Sequence, residues 1–157
     1  MMTVNKLPEF LENLKAMTNK SVFVGIPHDS TRKDSEPYSN AQIGMVMEFG
    51  SAIKNIPPRP FLIPALKESQ KEAITILKEG AQQALHGEDI EISFNKAGLY
   101  AQNKVKAKII NGSFEDLKQS TLAARMRRRK NKAAGTKPLI DTGQLLASIT
   151  YVVRENA

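Results

Sequence analysis

Ser21-Val22-Phe23-Val24-Gly25-Ile26-Pro27 is a short β-branched and aromatic run closed by a proline, and it reads as a strand. Its counterpart lies at the other end of the chain, where Ile149-Thr150-Tyr151-Val152-Val153 alternates in the same way after a turn at Asp141-Thr142-Gly143. Two strands do not make a stable sheet unaided, so they must pair with each other beneath helices, or pair across subunits. The expected fold class is α+β: a helix-rich single domain with a small antiparallel sheet, strands near 21–26 and 148–154, packed against long helices.

Between the strands the apolar period is helical. Leu62, Leu66, Ala73, Ile74, Leu77, Ala81, Ala84 and Leu85 repeat at about 3.6 residues, which predicts the longest helix over 61–85, with Pro64 in its first turn and Gly87 just beyond its end. Ala97, Ala101, Val105 and Ile109 predict a second helix over 94–110, stopped by Asn111-Gly112. Ser39 or Asn40 is placed to cap a helix carrying Ile43 and Met47 to Phe49, with Gly50 ending it in a left-handed conformation. Leu7, Phe10, Leu11, Leu14 and Met17 form an amphipathic helical stripe before the first strand. Pro57, Pro58 and Pro60 hold residues 51–60 extended, and flexible loops are expected near 28–38 and 112–138.

The chain has 157 residues, 41% of them hydrophobic and 25% charged, which suits one globular domain with a real core. It has no cysteine, so disulfides, thiolate zinc sites, iron–sulfur clusters and a cysteine nucleophile are excluded. No apolar run reaches the length of a membrane span and Met1-Met2-Thr3-Val4-Asn5-Lys6 has no signal-peptide core, so a soluble product made without export is expected.

A search for chemistry returns little. His28 and His86 each lack a second histidine within a helical turn, and they read as solvated side chains rather than ligands. Glu88, Asp89 and Glu91 precede a predicted helix, where its dipole accounts for them. Gly135-Thr136-Lys137-Pro138 lacks the upstream glycine of a phosphate loop and reads as a plain loop. No enzyme activity, metal or cofactor is expected.

The net charge of +7 is local. Lys118, Arg125, Arg127, Arg128, Arg129, Lys130, Lys132 and Lys137 fall in one stretch without an acidic residue, and outside it 15 basic residues face all 16 acidic ones. Ser120 or Thr121 can cap a short helix over 122–130 whose second half is nearly all positive and frays by self-repulsion. Arg125, Arg127, Arg128, Arg129, Lys130 and Lys132 are thus candidates for contact with a phosphate backbone or an acidic protein face, in a salt-dependent manner. The run has no aromatic residue to stack on bases, which argues against base-specific recognition. The alternative is a solvated loop with electrostatic steering.

Three further segments are specific in combination: Met47-Glu48-Phe49-Gly50-Ser51, Pro57-Pro58-Arg59-Pro60-Phe61-Leu62-Ile63-Pro64-Ala65, and Pro138-Leu139-Ile140-Asp141-Thr142-Gly143-Gln144-Leu145-Leu146-Ala147-Ser148-Ile149. Together with Val22-Phe23-Val24-Gly25-Ile26 and Ser120-Thr121-Leu122-Ala123-Ala124-Arg125, this set resembles the tail-completion, or virion-morphogenesis, proteins of tailed bacteriophages and prophages. The resemblance spans most of the chain. It implies a non-enzymatic neck protein at the head–tail junction, contacting connector or stopper and tail-terminator proteins as a homo-oligomeric ring. It also implies residence in the bacterial cytoplasm during assembly and in the virion afterwards, with no membrane partner and with DNA contact where the basic run meets the lumen. The rival function is a basic, sequence-independent nucleic-acid-binding protein that uses residues 125–132.

In many relatives the Thr-Gly-x-Leu segment precedes Glu-Phe-Gly, whereas here it closes the chain; the strands after Ser148 and before Gly25 are then expected to be neighbours from opposite ends. The motif residues carried over are Glu48, Phe49, Gly50, Arg59, Pro60, Phe61, Leu139, Asp141, Thr142, Gly143, Leu145, Ser148 and Ile149. Each also makes sense as packing or turn chemistry. Gly50 and Gly143 suit positive φ, Phe49, Phe61 and Leu62 suit anchors between the proline segment and the helices, and Arg59 can pair with Glu48.

Overall fold

The computed structural model describes residues 7–29, 37–128 and 136–156. Two strands, β1 (Lys20–Gly25) and β2 (Thr150–Glu155), pair antiparallel with Phe23 opposite Val152, so opposite ends of the chain close one two-stranded sheet as expected. The helices in chain order are α1 (Leu7–Asn19), α2 (Asn40–Phe49), α3 (Leu62–Ala84), α4 (Ile90–Asn111), α5 (Gln119–Arg128) and α6 (Gln144–Ser148). The domain is a helix-rich α+β fold: α3 and α4 pack side by side, and both strands lie on α4.

The alternation of the strands decides which face is inward. Val22 and Val153 pack on the cluster of Ala84, Ile90 and Phe94, while Val24 packs on a larger core of Phe61, Ala65, Val105, Ile109, Leu139, Leu145 and Ile149. Phe23 and Val152 point outward. On the inner face Tyr151 lies over Gly98 of α4 and donates its hydroxyl to Asn95 Oδ1 at 3.2 Å. Lys20 bridges to Glu91 at 2.9 Å, and that hydrogen bond holds its ammonium pKa above the usual lysine value.

Local signals explain most boundaries. Ser39 begins α2 with a capping box: its side chain accepts from Gln42 N–H while the Gln42 side chain accepts from Ser39 N–H. Helix α4 starts at Ile90 rather than Phe94, because Asp89 caps it by accepting from Glu91 N–H at 2.9 Å. Two further differences lie near the C-terminus. The turn at 141–143 leads into the short helix α6 before β2, not straight into the strand, and α5 begins at Gln119, one turn ahead of the expected start.

Not all of the predicted loop over 112–138 is loose. Residues 112–118 have no regular secondary structure but are tied down, with Phe114 packed on the main core and Lys118 Nζ bonded to the Asn55 carbonyl at 2.9 Å. The remainder of that loop at 129–135, and most of the loop expected at 28–38, lie outside the described residues. The stripe on α1 is only partly covered, since Leu11 and Leu14 are exposed.

Helices α3 and α4 approach closely at Gly80, which faces Ser93. A methyl group at Gly80 would overlap both Cβ and Oγ of Ser93, and Cβ moves only with the α4 backbone. Alanine is the better helix former by about 1 kcal/mol, but overpacking costs about 1–3 kcal/mol. Gly80→Ala is therefore expected to lower stability in urea titration despite its propensity gain, and pairing it with Ser93→Gly should restore part of the loss.

Candidate functional site

The segment between α2 and α3 is where the motif residues meet. Gly50 ends α2 with φ of 74° and ψ of −178°. The φ is positive as expected, but the backbone is extended rather than left-handed helical. A side chain there would meet the Ile56 carbonyl and Pro58 N at 2.8 and 2.9 Å, so only glycine fits. Residues 51–56 then form a tight antiparallel loop closed by reciprocal Ser51–Ile56 backbone bonds of 2.9 Å, with Ile53 at its tip 99% exposed. Arg59 N–H returns to the Met47 carbonyl at 2.6 Å, laying the proline segment back along α2.

This return brings Glu48 to the first turn of α3. The Glu48 carboxylate is 6% exposed and accepts from Phe61 and Leu62 N–H through Oε2, at 2.8 and 2.9 Å, and from Ile63 N–H through Oε1, at 2.9 Å. The next residue is Pro64, which has no N–H. One carboxylate from another helix thus satisfies the amides that open α3, and its charge complements the helix dipole. Phe61, at the N-cap position, supplies no side-chain cap of its own.

The expected Arg59–Glu48 pair does not form. Arg59 is buried and turns the other way, donating Nε to the Glu115 carbonyl at 2.8 Å and Nη2 to the Asp116 carbonyl at 3.0 Å. Its planar fork fastens residues 112–118 to the proline segment. Pro60 is exposed.

A second fastener holds the C-terminal motif. Arg125 of α5 is 6% exposed and donates Nη1 to the carbonyls of Lys137 and Ile140, at 2.8 and 3.1 Å, and Nη2 to that of Pro138, at 3.0 Å. Its Nε lies 3.7 Å from Asp141 Oδ1. Arg125 therefore does not belong to the expected contact surface: its charge is spent on the loop that follows. Thr142 is exposed, and Gly143, with φ of 79° and ψ of −2°, makes the left-handed step into α6. Leu139, Leu145 and Ile149 are buried with Phe61 in the main core, and Ser148 bonds the Leu145 carbonyl at 2.8 Å. Arg127 is exposed, the Arg128 side chain is outside the described residues, and so are Arg129, Lys130 and Lys132.

Phe49 is not an anchor between layers. It is 64% exposed, and with Ile26, Met45 and Ile63 it lines a shallow, almost wholly apolar groove of about 210 Å³ beside Glu48. The motif thus divides into fasteners that face inward (Glu48, Arg59, Arg125) and an aromatic ring that faces out. Met45 belongs to the same surface and was legible as one turn before Phe49 on α2. Ile63 was not, because its period places it on the helix that carries the core.

Among the described residues no group of three or more His, Asp or Glu side chains is placed to hold a metal ion, and no helix is long and apolar enough to cross a membrane. His28 and His86 are both exposed. Fold and site together define an α+β domain whose motif residues fasten loops around a common core and leave an apolar surface outside. Comparison with family models, with curated proteins and with solved structures returns no match to this chain.

Proposed function

We propose that the protein is a non-enzymatic assembly component of a tailed bacteriophage or prophage. It acts at the head–tail junction through protein contacts in a ring of its own copies, with connector or stopper and tail-terminator proteins as neighbours. One observation carries this reading. Motif segments from the middle and the end of the chain converge on a single core, and the exposed aromatic side chain of the Glu-Phe-Gly segment, Phe49, sits with Met45 and Ile63 on an apolar surface. Catalytic motifs converge on titratable groups in a cleft; this one converges on packing, caps and an apolar face, which suits assembly.

Phe49→Ser tests it. The side chain is exposed, so the isolated protein should unfold within about 0.5 kcal/mol of wild type. In a phage carrying this gene, the variant is expected to leave filled heads and finished tails unjoined in micrographs, as deletion would. Normal particle yield from the deletion itself would overturn the reading.

A second reading rests on the charge. With Arg125 withdrawn into the fold, Arg127, Arg128, Arg129, Lys130 and Lys132 remain to contact nucleic acid. Micromolar binding of the purified protein to random-sequence DNA near physiological salt, lost on replacing Arg127, Arg128 and Arg129 with alanine, would favour this reading.

A further inference from the structure

The sheet is one strand too narrow for the helices beneath it. Both strands lie on α4, and α3 lies beside α4, on the side of β1 that has no strand among the described residues. There a groove of about 590 Å³ runs between β1 and α3. Val22 and Val24 form one wall, Leu66, Ala73 and Leu77 of α3 the other, and Phe94 lies at its floor. The Asn156 N–H donates to the Asn19 carbonyl, one position beyond the Lys20–Glu155 pair. By antiparallel alternation, the backbone groups of Ser21, Phe23 and Gly25 face β2, while those of Lys20, Val22 and Val24 turn toward the groove. An open edge beside an apolar floor is the arrangement that accepts an added strand.

We infer that this groove binds an extended, acidic segment of a partner protein, which pairs with the free edge of β1 as a third strand and lays alternate apolar side chains on α3. Charge sets the kind of partner. Among the described residues that line the groove the charged side chains are Lys20, which Glu91 already pairs at 2.9 Å, and Lys67, which is exposed and supplies the positive charge that favours an acidic segment; none is acidic. Shape excludes the simplest rival. A second copy pairing its own β1 antiparallel to this one would bring its α4 beneath that strand, into space that α3 fills, whereas a separate extended segment meets no such obstacle. The inference goes beyond the assembly reading and does not depend on Phe49.

The test uses the full chain and a blocked synthetic peptide that alternates valine with glutamate and threonine, with a second peptide carrying lysine for glutamate. Amide exchange read by NMR is expected to slow about tenfold or more at Val22 and Val24 when the acidic peptide binds. Phe23, already bonded to β2, should change far less. Lys67→Glu, a change on an exposed position, is expected to weaken the acidic peptide about fivefold or more while leaving the thermal midpoint in place. Failure of the acidic peptide to protect Val22 and Val24 would overturn the inference, as would equal protection by the lysine peptide. So would protection that grows with protein concentration and no peptide, the signature of a second copy. A Phe49→Ser protein that still binds the peptide separates this surface from the assembly reading.

Discussion

Glu48→Gln is expected to lower the thermal midpoint by roughly 6–12 °C, corresponding to about 3 kcal/mol of lost stability. The two side chains have the same length, so packing hardly changes. What changes is hydrogen-bond chemistry. The carboxylate presents acceptors on both oxygens to three amides. The amide side chain has one acceptor, and its NH₂ meets an N–H head-on. At least one opening amide of α3 is then buried without a partner, and the favourable charge at the helix N-terminus is gone. Glu48→Ala should be at least as damaging, since all three amides lose their acceptor. Replacement of Glu79, exposed on the same helix α3, should stay within about 0.5 kcal/mol of wild type. Calorimetry on the three variants checks the ranking, and a midpoint for Glu48→Gln within error of wild type would show that water caps α3 equally well.

That clamp marks where sequence reading stopped. Period and punctuation were enough for the long elements: the apolar repeat gave α3 nearly to the residue, and Asn111-Gly112 stopped α4 where expected. The pairing of β1 with β2 followed from there being two strands to pair. Side-chain partners were another matter. Glu48 and Arg59 are opposite charges eleven positions apart joined by prolines, and nothing in that spacing reveals that a carboxylate will find amides and a guanidinium will find carbonyls. Both choices follow from the loop at 51–56, whose tight reversal sets Glu48 against α3 and turns Arg59 away. Burial of Phe61 but not Phe49 depends on the same reversal. Helix α6 was missed because it is only five residues long, too short to display a period before β2 begins.

The basic run shows the same limit in a sharper form, and it carries the last large effect. Six of its residues looked alike in sequence, yet Arg125 is buried and Arg127, two positions on, is exposed, because a helix turns residues two apart to different faces. Arg125→Met is expected to destabilise the fold by about 3 kcal/mol or more, since three carbonyls and Asp141 lose a buried donor while the apolar bulk is kept. Arg125→Lys should recover little of this, because a single ammonium does not reproduce a planar fork that reaches three carbonyls at once. Arg127→Ala should leave stability within about 0.5 kcal/mol and reduce only salt-dependent attraction to anions. Urea midpoints for the three variants, with amide exchange at Leu139 and Ile140 in the same samples, separate the roles. Loss of protection at those two amides in Arg125→Met but not in Arg127→Ala identifies the first arginine as the fastener of the C-terminal motif. If instead the two variants match in stability and in exchange, Arg125 is one more surface charge, and the loop from Lys137 to Asp141 is held by the packing of Leu139 alone.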